Sequence, residues 1–182
     1  AEQQRVIKRH TENPEAYQLY LKGRFYGNQL TTEGLKKGIE LMTRAIELDP
    51  TYALAHAGLS SSYYDASNFI FPPDEALPKV KAAAQRAIEL DDTIAEAHVS
   101  LAIFWERYEY NRTEAAKEFK HALELAPNLA RAQLYYGLNR IEEGRMDEAI
   151  AAMTRANELD PLTLYNGSTL AWAHYLARRN DE

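Results

Sequence analysis

Apolar side chains recur along most of the chain in steps of three and four. Over 32–48 the series is Leu35, Ile39, Met42, Ala45 and Ile46. Over 113–125 it is Ala115, Ala116, Phe119, Ala122 and Leu123, and over 146–159 it is Ala149, Ile150, Met153, Ala156 and Leu159. That spacing gathers the apolar residues on one face of a helix. These helices run into Asp49-Pro50, Ala126-Pro127 and Asp160-Pro161. Proline has no N–H and disfavours helix in the residue before it, so each helix stops there. Further helices are predicted over 15–27, 53–66, 94–108, 128–142 and 162–177.

The helix ends repeat as strings: RAIELDP at 44–50, RAIELDD at 86–92, HALELAP at 121–127 and RANELDP at 155–161. Their last residues are 42, 35 and 34 positions apart. A period near 34 predicts an array of helix pairs, A then B, which bury apolar faces by stacking on their neighbours. The units are 16–50, 51–92, 93–127 and 128–161, with a partial fifth at 162–182, in one all-α domain over 1–182. Gly144 suits the left-handed end of helix A in the fourth unit. The second unit carries 42 − 34 = 8 extra residues between Tyr63 and Val80, and its helix B is expected to start between Pro73 and Leu77. Phe69, Ile70 and Phe71 lie in this insertion. Two readings are open: they fold back over the neighbouring helices, or they form a loop that meets a partner.

In register, the units resemble the tetratricopeptide repeat, W-x2-L-G-x2-Y, then A-x3-F, then P. The first unit offers Leu19, Lys22, Gly23 and Tyr26, then Gly38, Met42, Ala45 and Pro50. The second offers His56, Leu59, Ser60 and Tyr63, then Val80, Ala84, Ala87 and Asp92. The third offers His98, Leu101, Ala102 and Trp105, then Ala115, Phe119, Ala122 and Pro127. The fourth offers Gln133, Tyr136, Gly137 and Arg140, then Ala149, Met153, Ala156 and Pro161. A partial fifth offers Gly167, Leu170, Ala171 and His174. No unit carries the Trp. The small residues Gly23, Ser60, Ala102 and Gly137 are expected to leave room for the backbone of helix B.

The resemblance implies a right-handed superhelical solenoid whose concave wall is lined by the A helices. Its groove positions fall on Tyr20, Arg24 and Gly27; on Ala57, Ser61 and Tyr64; on Val99, Ile103 and Glu106; on Leu134, Leu138 and Ile141; and on Ser168, Trp172 and Tyr175. This wall is apolar and aromatic. Chaperone-binding members grip a C-terminal carboxylate with Lys, Asn and Arg, whereas Tyr20, Gly58, Glu96 and Ser100 stand at those places here. An apolar groove suits an amphipathic helix or an extended segment with aromatic anchors. Its occupant is either an external protein or peptide, or the protein's own N-terminal stretch or a second copy. The run from Asn13 to Ser60 is also similar to repeat regions that follow bacterial winged-helix regulators, Ser/Thr kinases or nucleotide cyclases. That likeness implies a self-association or structural module of a larger signalling or transcription-regulatory protein.

Composition removes several alternatives. The 21 Lys and Arg against 27 Asp and Glu give a net charge of −6. Nucleic acid is therefore not an expected partner, because phosphate neutralisation needs a basic stripe. With no cysteine, disulfide and thiolate-metal sites are closed. No apolar run reaches membrane-spanning length. The cytoplasm is the expected compartment, or the periplasm if a longer protein spans a membrane, since the chain reads as a fragment. His56 and His98 share one repeat position and read as structural. Glu47, Glu89, Glu124 and Glu158 recur at helix ends and read as solvated faces. No metalloprotease, phosphate-loop or nucleophile-elbow motif occurs. The reading is a non-enzymatic scaffold without cofactor or metal. A homodimer through the incomplete last repeat, around Leu170, Trp172 and Leu176, is the companion expectation.

Overall fold

The computed structural model describes residues 11–179. Among the described residues the chain forms nine α-helices and no strand. They are α1 (Pro14–Gly27), α2 (Thr32–Leu48), α3 (Ala53–Ser67), α4 (Pro73–Leu90), α5 (Ala95–Arg107), α6 (Arg112–Leu125), α7 (Ala130–Glu142), α8 (Met146–Leu159) and α9 (Leu164–Arg179). Odd-numbered helices are the A helices and even-numbered ones the B helices. Helix α1 packs on α2, α3 on α4 and α7 on α8, while α2 also meets α3, α6 meets α7 and α8 meets α9. The pairing is the one the sequence period predicts. The expectation that the N-terminal stretch occupies the groove concerns residues 1–10, which lie outside the described residues.

Local chemistry sets the helix starts. The Asn13 side chain accepts hydrogen bonds from the Glu15 and Ala16 amides at 3.0 and 3.1 Å, and Pro14 holds the first helical position. Thr31 caps α2 through the Gly34 amide, and Asn111 caps α6 through the Glu114 amide. Caps of this kind satisfy amides that no helical carbonyl can reach. The residue before each of three B-helix N-caps takes a left-handed backbone: Leu30 at φ 51°, Tyr110 at 53° and Gly144 at 74°. Gly144 does so without cost, as expected; Leu30 and Tyr110 carry a side chain into a region that disfavours one.

The long insertion is mostly helix. α4 has 18 residues against 14 in α6 and in α8, and it begins at Pro73 with Pro78 inside it. The amides of Ile70 and Phe71 both reach back to the Ala66 carbonyl. Phe71 lies 6.4 Å from the Tyr63 ring, and the Lys79 ammonium sits 5.5 and 5.4 Å from the Tyr63 and Phe71 ring centres. The Phe71 ring thus folds back beside Tyr63, Ile70 is half-buried, and Phe69 is 62% exposed.

The chain divides into two compact units, the first ending at Ala97 and the second starting at His98. In the first, Ala16, Leu19, Tyr20, Leu41, Met42, Ala45, Tyr52 and Ala55 form one apolar cluster. Backbone comes close at two glycines of α2: a Cβ on Gly34 would lie 2.7 Å from the Tyr26 oxygen, and one on Gly38 3.1 Å from the Gly27 nitrogen and 3.2 Å from the Gly23 oxygen. A Cβ on Gly23 would first meet the Met42 side chain, with Cε at 3.1 Å and Cγ at 3.2 Å. Ser60 uses its hydroxyl to donate to the Val80 carbonyl at 2.8 Å. In the second unit Phe104, Phe119, Leu134 and Met153 are buried. A Cβ on Gly137 would meet Met153 Cγ at 2.8 Å and the Ala149 carbonyl at 3.1 Å.

Candidate interaction surface

Each joint between repeats is tied by polar groups. Asp49 accepts from the Thr51 amide and hydroxyl, and Asp91 accepts from both groups of Thr93 in the same way. Asp160 accepts from the Thr163 hydroxyl. These short side chains hold the turn as an Asx motif. Thr11 adds a 2.5 Å hydrogen bond to Asp49, and the bonds from Thr11 and Thr51 hold this carboxyl below the usual aspartate range.

At the position where the repeat pattern has Trp, His56 Nε2 donates to the Pro50 carbonyl at 3.1 Å, and Gln133 Nε2 donates to the Pro127 carbonyl at 2.9 Å. Burial keeps His56 below the usual histidine range. His98 Nδ1 lies 2.7 Å from Glu118 and its ring meets His121 edge-on at 4.5 Å. The geometry gives both repeated histidines packing and hydrogen-bonding partners. Among the described residues no group of three or more His, Asp or Glu is placed to hold a metal ion. Asn166, in a glycosylation-like triplet, is buried, with its amide on the Asp160 and Ala156 carbonyls.

The A-helix positions are exposed very unevenly. In the first unit Tyr20, Ala57 and Tyr64 are buried, Ser61 is half-buried, and Arg24 is exposed, donating to the Tyr20 hydroxyl at 3.1 Å. In the second unit Val99, Ile103, Glu106 and Leu134 are buried. Side chains with no accessible surface are packing residues, so Val99 and Ile103 do not form an open wall. Leu138 and Ile141 are half-buried, and Trp172 and Tyr175 are each 47% exposed. Open apolar surface at these positions is therefore concentrated on α7 and α9. On α9, Asn166, Thr169 and Ala173 are buried while Leu164, Tyr165, Ala171 and His174 are exposed. Helix α8 packs on α9, and the opposite side of α9 carries Leu164 and Tyr165 in the open.

The second unit also buries a polar chain that the sequence pattern does not announce. Asn139 Nδ2 donates to Glu106 at 2.7 Å, and Arg140 Nη2 donates to Asn139 Oδ1 at 2.5 Å and to Glu143 at 3.1 Å. Arg140 stands where the repeat pattern has Tyr, and its guanidinium lies 4.8 Å from the Tyr136 ring centre. Burial pushes the Glu106 carboxyl above the usual glutamate range, and the Asn139 hydrogen bond offsets this in part. The one sequence signal was Arg140 at a helix-packing position. No helix among the described residues is long and apolar enough to cross a membrane.

Residues 130–161 match the tetratricopeptide repeat. The chain is 27% identical over 158 residues to the transcriptional regulator HilA of Salmonella typhimurium, which covers 86% of this chain and 28% of that protein. The chain thus spans little more than a quarter of the length of this relative. The fold is similar to the crystal structure of a thermophilic tetratricopeptide-repeat protein of Thermus thermophilus, with TM-score 0.70, 20% identity, and 89% and 82% of the two chains covered. It is also similar to the first tetratricopeptide domain of Spaghetti bound to an HSP90 peptide, with TM-score 0.57, 15% identity, and 69% and 95% covered.

Proposed function

We propose that this chain, an array of tetratricopeptide repeats, is a non-enzymatic protein-interaction scaffold that takes a peptide or helix on the A-helix face of its second unit. The observation that carries the reading is the solvent-reaching apolar set on α7 and α9, half-buried Leu138 and Ile141 and exposed Trp172 and Tyr175, at equivalent repeat positions. Aromatic and aliphatic side chains of this kind are the usual anchors for an apolar helix face or an extended segment. The solved complex of a similar domain with a peptide supports the mode of binding. The test is affinity selection from a peptide library, followed by Leu138→Arg and Trp172→Arg. Trp172 is 47% exposed and Leu138 half-buried, and circular dichroism of both variants checks that the fold is kept. Selected peptides should lose most of their affinity; undiminished binding to both variants sinks the reading.

A second reading is self-association or docking within a larger regulatory protein. It is favoured by the open Leu164 and Tyr165 side of α9, which carries apolar surface that a further helix would cover, and by the likeness to a transcriptional regulator. Light scattering across a concentration series should show a dimer that Leu164→Asp abolishes. A monomer at every concentration removes self-association.

A further inference from the structure

Helix α3 seats one face on the helix pair before it. Its Leu54 and Leu59 pack on the cluster around Met42, and a Cβ on Gly58 would lie 2.7 Å from Met42 Cε. Ser62 belongs to the same face, since a Cβ on Gly27 would lie 3.5 Å from its hydroxyl oxygen. The buried residues of α1 and α3 fall in register at 53 − 16 = 37 positions: Ala16 with Ala53, Tyr20 with Ala57, Gly23 with Ser60 and Gly27 with Tyr64. Tyr17, Leu21 and Phe25 thus stand where α3 has Leu54, Gly58 and Ser62. They recur every fourth residue along one side of α1 and are 45%, 42% and 66% exposed. The face that α3 covers with α1 and α2 is therefore open and apolar on α1.

The segment before α1, outside the described residues, carries the pattern of a helix that would cover this face. Residues 4–9 read QRVIKR, against TRAIEL at 43–48, QRAIEL at 85–90, KHALEL at 120–125 and TRANEL at 154–159. Each of those four strings ends a B helix, and four residues then lead to the next A helix at Ala53, Ala95, Ala130 or Leu164. Residues 10–13 are the same four-residue link before Pro14, and Val6 and Ile7 take the places of Ala45 and Ile46. Thr11 bonds to Asp49 and Asn13 to the Leu48 carbonyl, so the chain enters α1 beside the end of α2. Ten helical residues span about 15 Å, enough to cover the roughly 12 Å of helix from Tyr17 to Phe25. We infer that residues 1–10 form the end of a B-type helix that docks antiparallel on the Tyr17, Leu21 and Phe25 face of α1, with Val6 and Ile7 as its apolar contacts. The N-terminal segment then closes the end of the first unit and stays out of the A-helix groove. This docking needs neither α7 nor α9, so it stands whether or not those helices capture a peptide.

The experiment is amide hydrogen exchange together with methyl NOE spectroscopy on the whole chain. The amides of 5–9 should be protected, and the Val6 and Ile7 methyls should show NOEs to the Tyr17 ring and the Leu21 methyls that persist on dilution. Leu21→Asp, at an exposed position of α1, should abolish the protection at 5–9 while the amides of α2 and α3 keep theirs. Ile7→Asp, on the segment itself, should do the same, and Arg24→Ala, at a groove position, should change nothing at 5–9. Unprotected amides at 5–9 overturn the inference, as does protection that survives both Leu21→Asp and Ile7→Asp. NOEs from Val6 and Ile7 to Tyr20 and Arg24 instead would put the segment in the groove and overturn it. NOEs seen only between differently labelled copies would give the face to a second copy and overturn it as well.

Discussion

The two units share one helix-pair plan and differ in what they bury. The first closes on Met42, Tyr20 and Tyr52, and its buried Ser60 is satisfied by backbone. The second places Phe119 and Met153 at the positions equivalent to Met42, and beside them it buries Glu106, Asn139 and Arg140. Replacing a buried ion network by apolar residues is often neutral or stabilising. The polar chain of the second unit therefore need not add stability beyond what apolar packing gives the first.

The strongest way to break this comparison is to remove one core side chain from each unit. Both tryptophans, Trp105 and Trp172, lie in the second unit, so fluorescence reports that unit and far-ultraviolet circular dichroism reports both. Phe119→Ala should cost about 3–5 kcal/mol and Met42→Ala about 2–5 kcal/mol. In denaturant, Phe119→Ala should move the fluorescence transition, and Met42→Ala should move the dichroism transition while leaving fluorescence nearly in place. Equal movement of both signals in both variants would mean that the units unfold as one.

Next in size are the glycines. A Cβ on Gly137 meets Met153 Cγ and the Ala149 carbonyl, neither of which can swing aside. A Cβ on Gly58 meets the terminal atoms of Met42, at 2.7 Å from Cε, which can. Gly137→Ala should cost about 1–3 kcal/mol by overpacking, and Gly58→Ala should cost less. Thermal melts of the two variants decide it, and a larger loss at Gly58 would contradict this view of how the units pack. Smaller again is the turn before helix B. Leu30→Gly and Tyr110→Gly should each stabilise by about 1 kcal/mol by relieving a left-handed side-chain residue. Because Leu30 is in the first unit and Tyr110 in the second, unequal gains would sharpen the contrast.

The smallest effect has opposite signs in the two units. Asp49 is held below its usual range, so its contribution is present above the ordinary aspartate range and is lost as pH falls through the lowered value. Glu106 is pushed above its usual range, so stability declines as pH rises from the ordinary glutamate range to the raised value. Asp49→Asn should therefore destabilise at neutral pH and matter less in acid. Glu106→Gln should stabilise at neutral pH, with the gain fading in acid. Denaturant melts from pH 3 to 8 follow both, and the same sign for the two variants refutes the assignment.

The helix pairs were legible because a 3.6-residue apolar period and a proline stop act locally. The start of α4 at Pro73 and the left-handed Gly144 were legible for the same reason. The exposure of the A-helix positions was not, because repeat register fixes where a residue stands and not what covers it. Val99 and Ile103 belong to a stretch, Val99–Phe104, that is apolar on nearly every side, and a helix of that kind is buried. The Glu106–Asn139 bond joins residues 33 positions apart, and charged residues are mostly exposed, so nothing short of the folded backbone pairs them.

The bonds from His56 to Pro50 and from Gln133 to Pro127 each reach six residues back along the chain. Each joint is thereby self-contained: a duplicated segment carries donor and acceptor together. What the joint requires is an N–H in the right place, which imidazole and carboxamide both supply. Gene duplication could then multiply such a module without a matching change elsewhere, leaving each copy free to diverge on its outward-facing side chains.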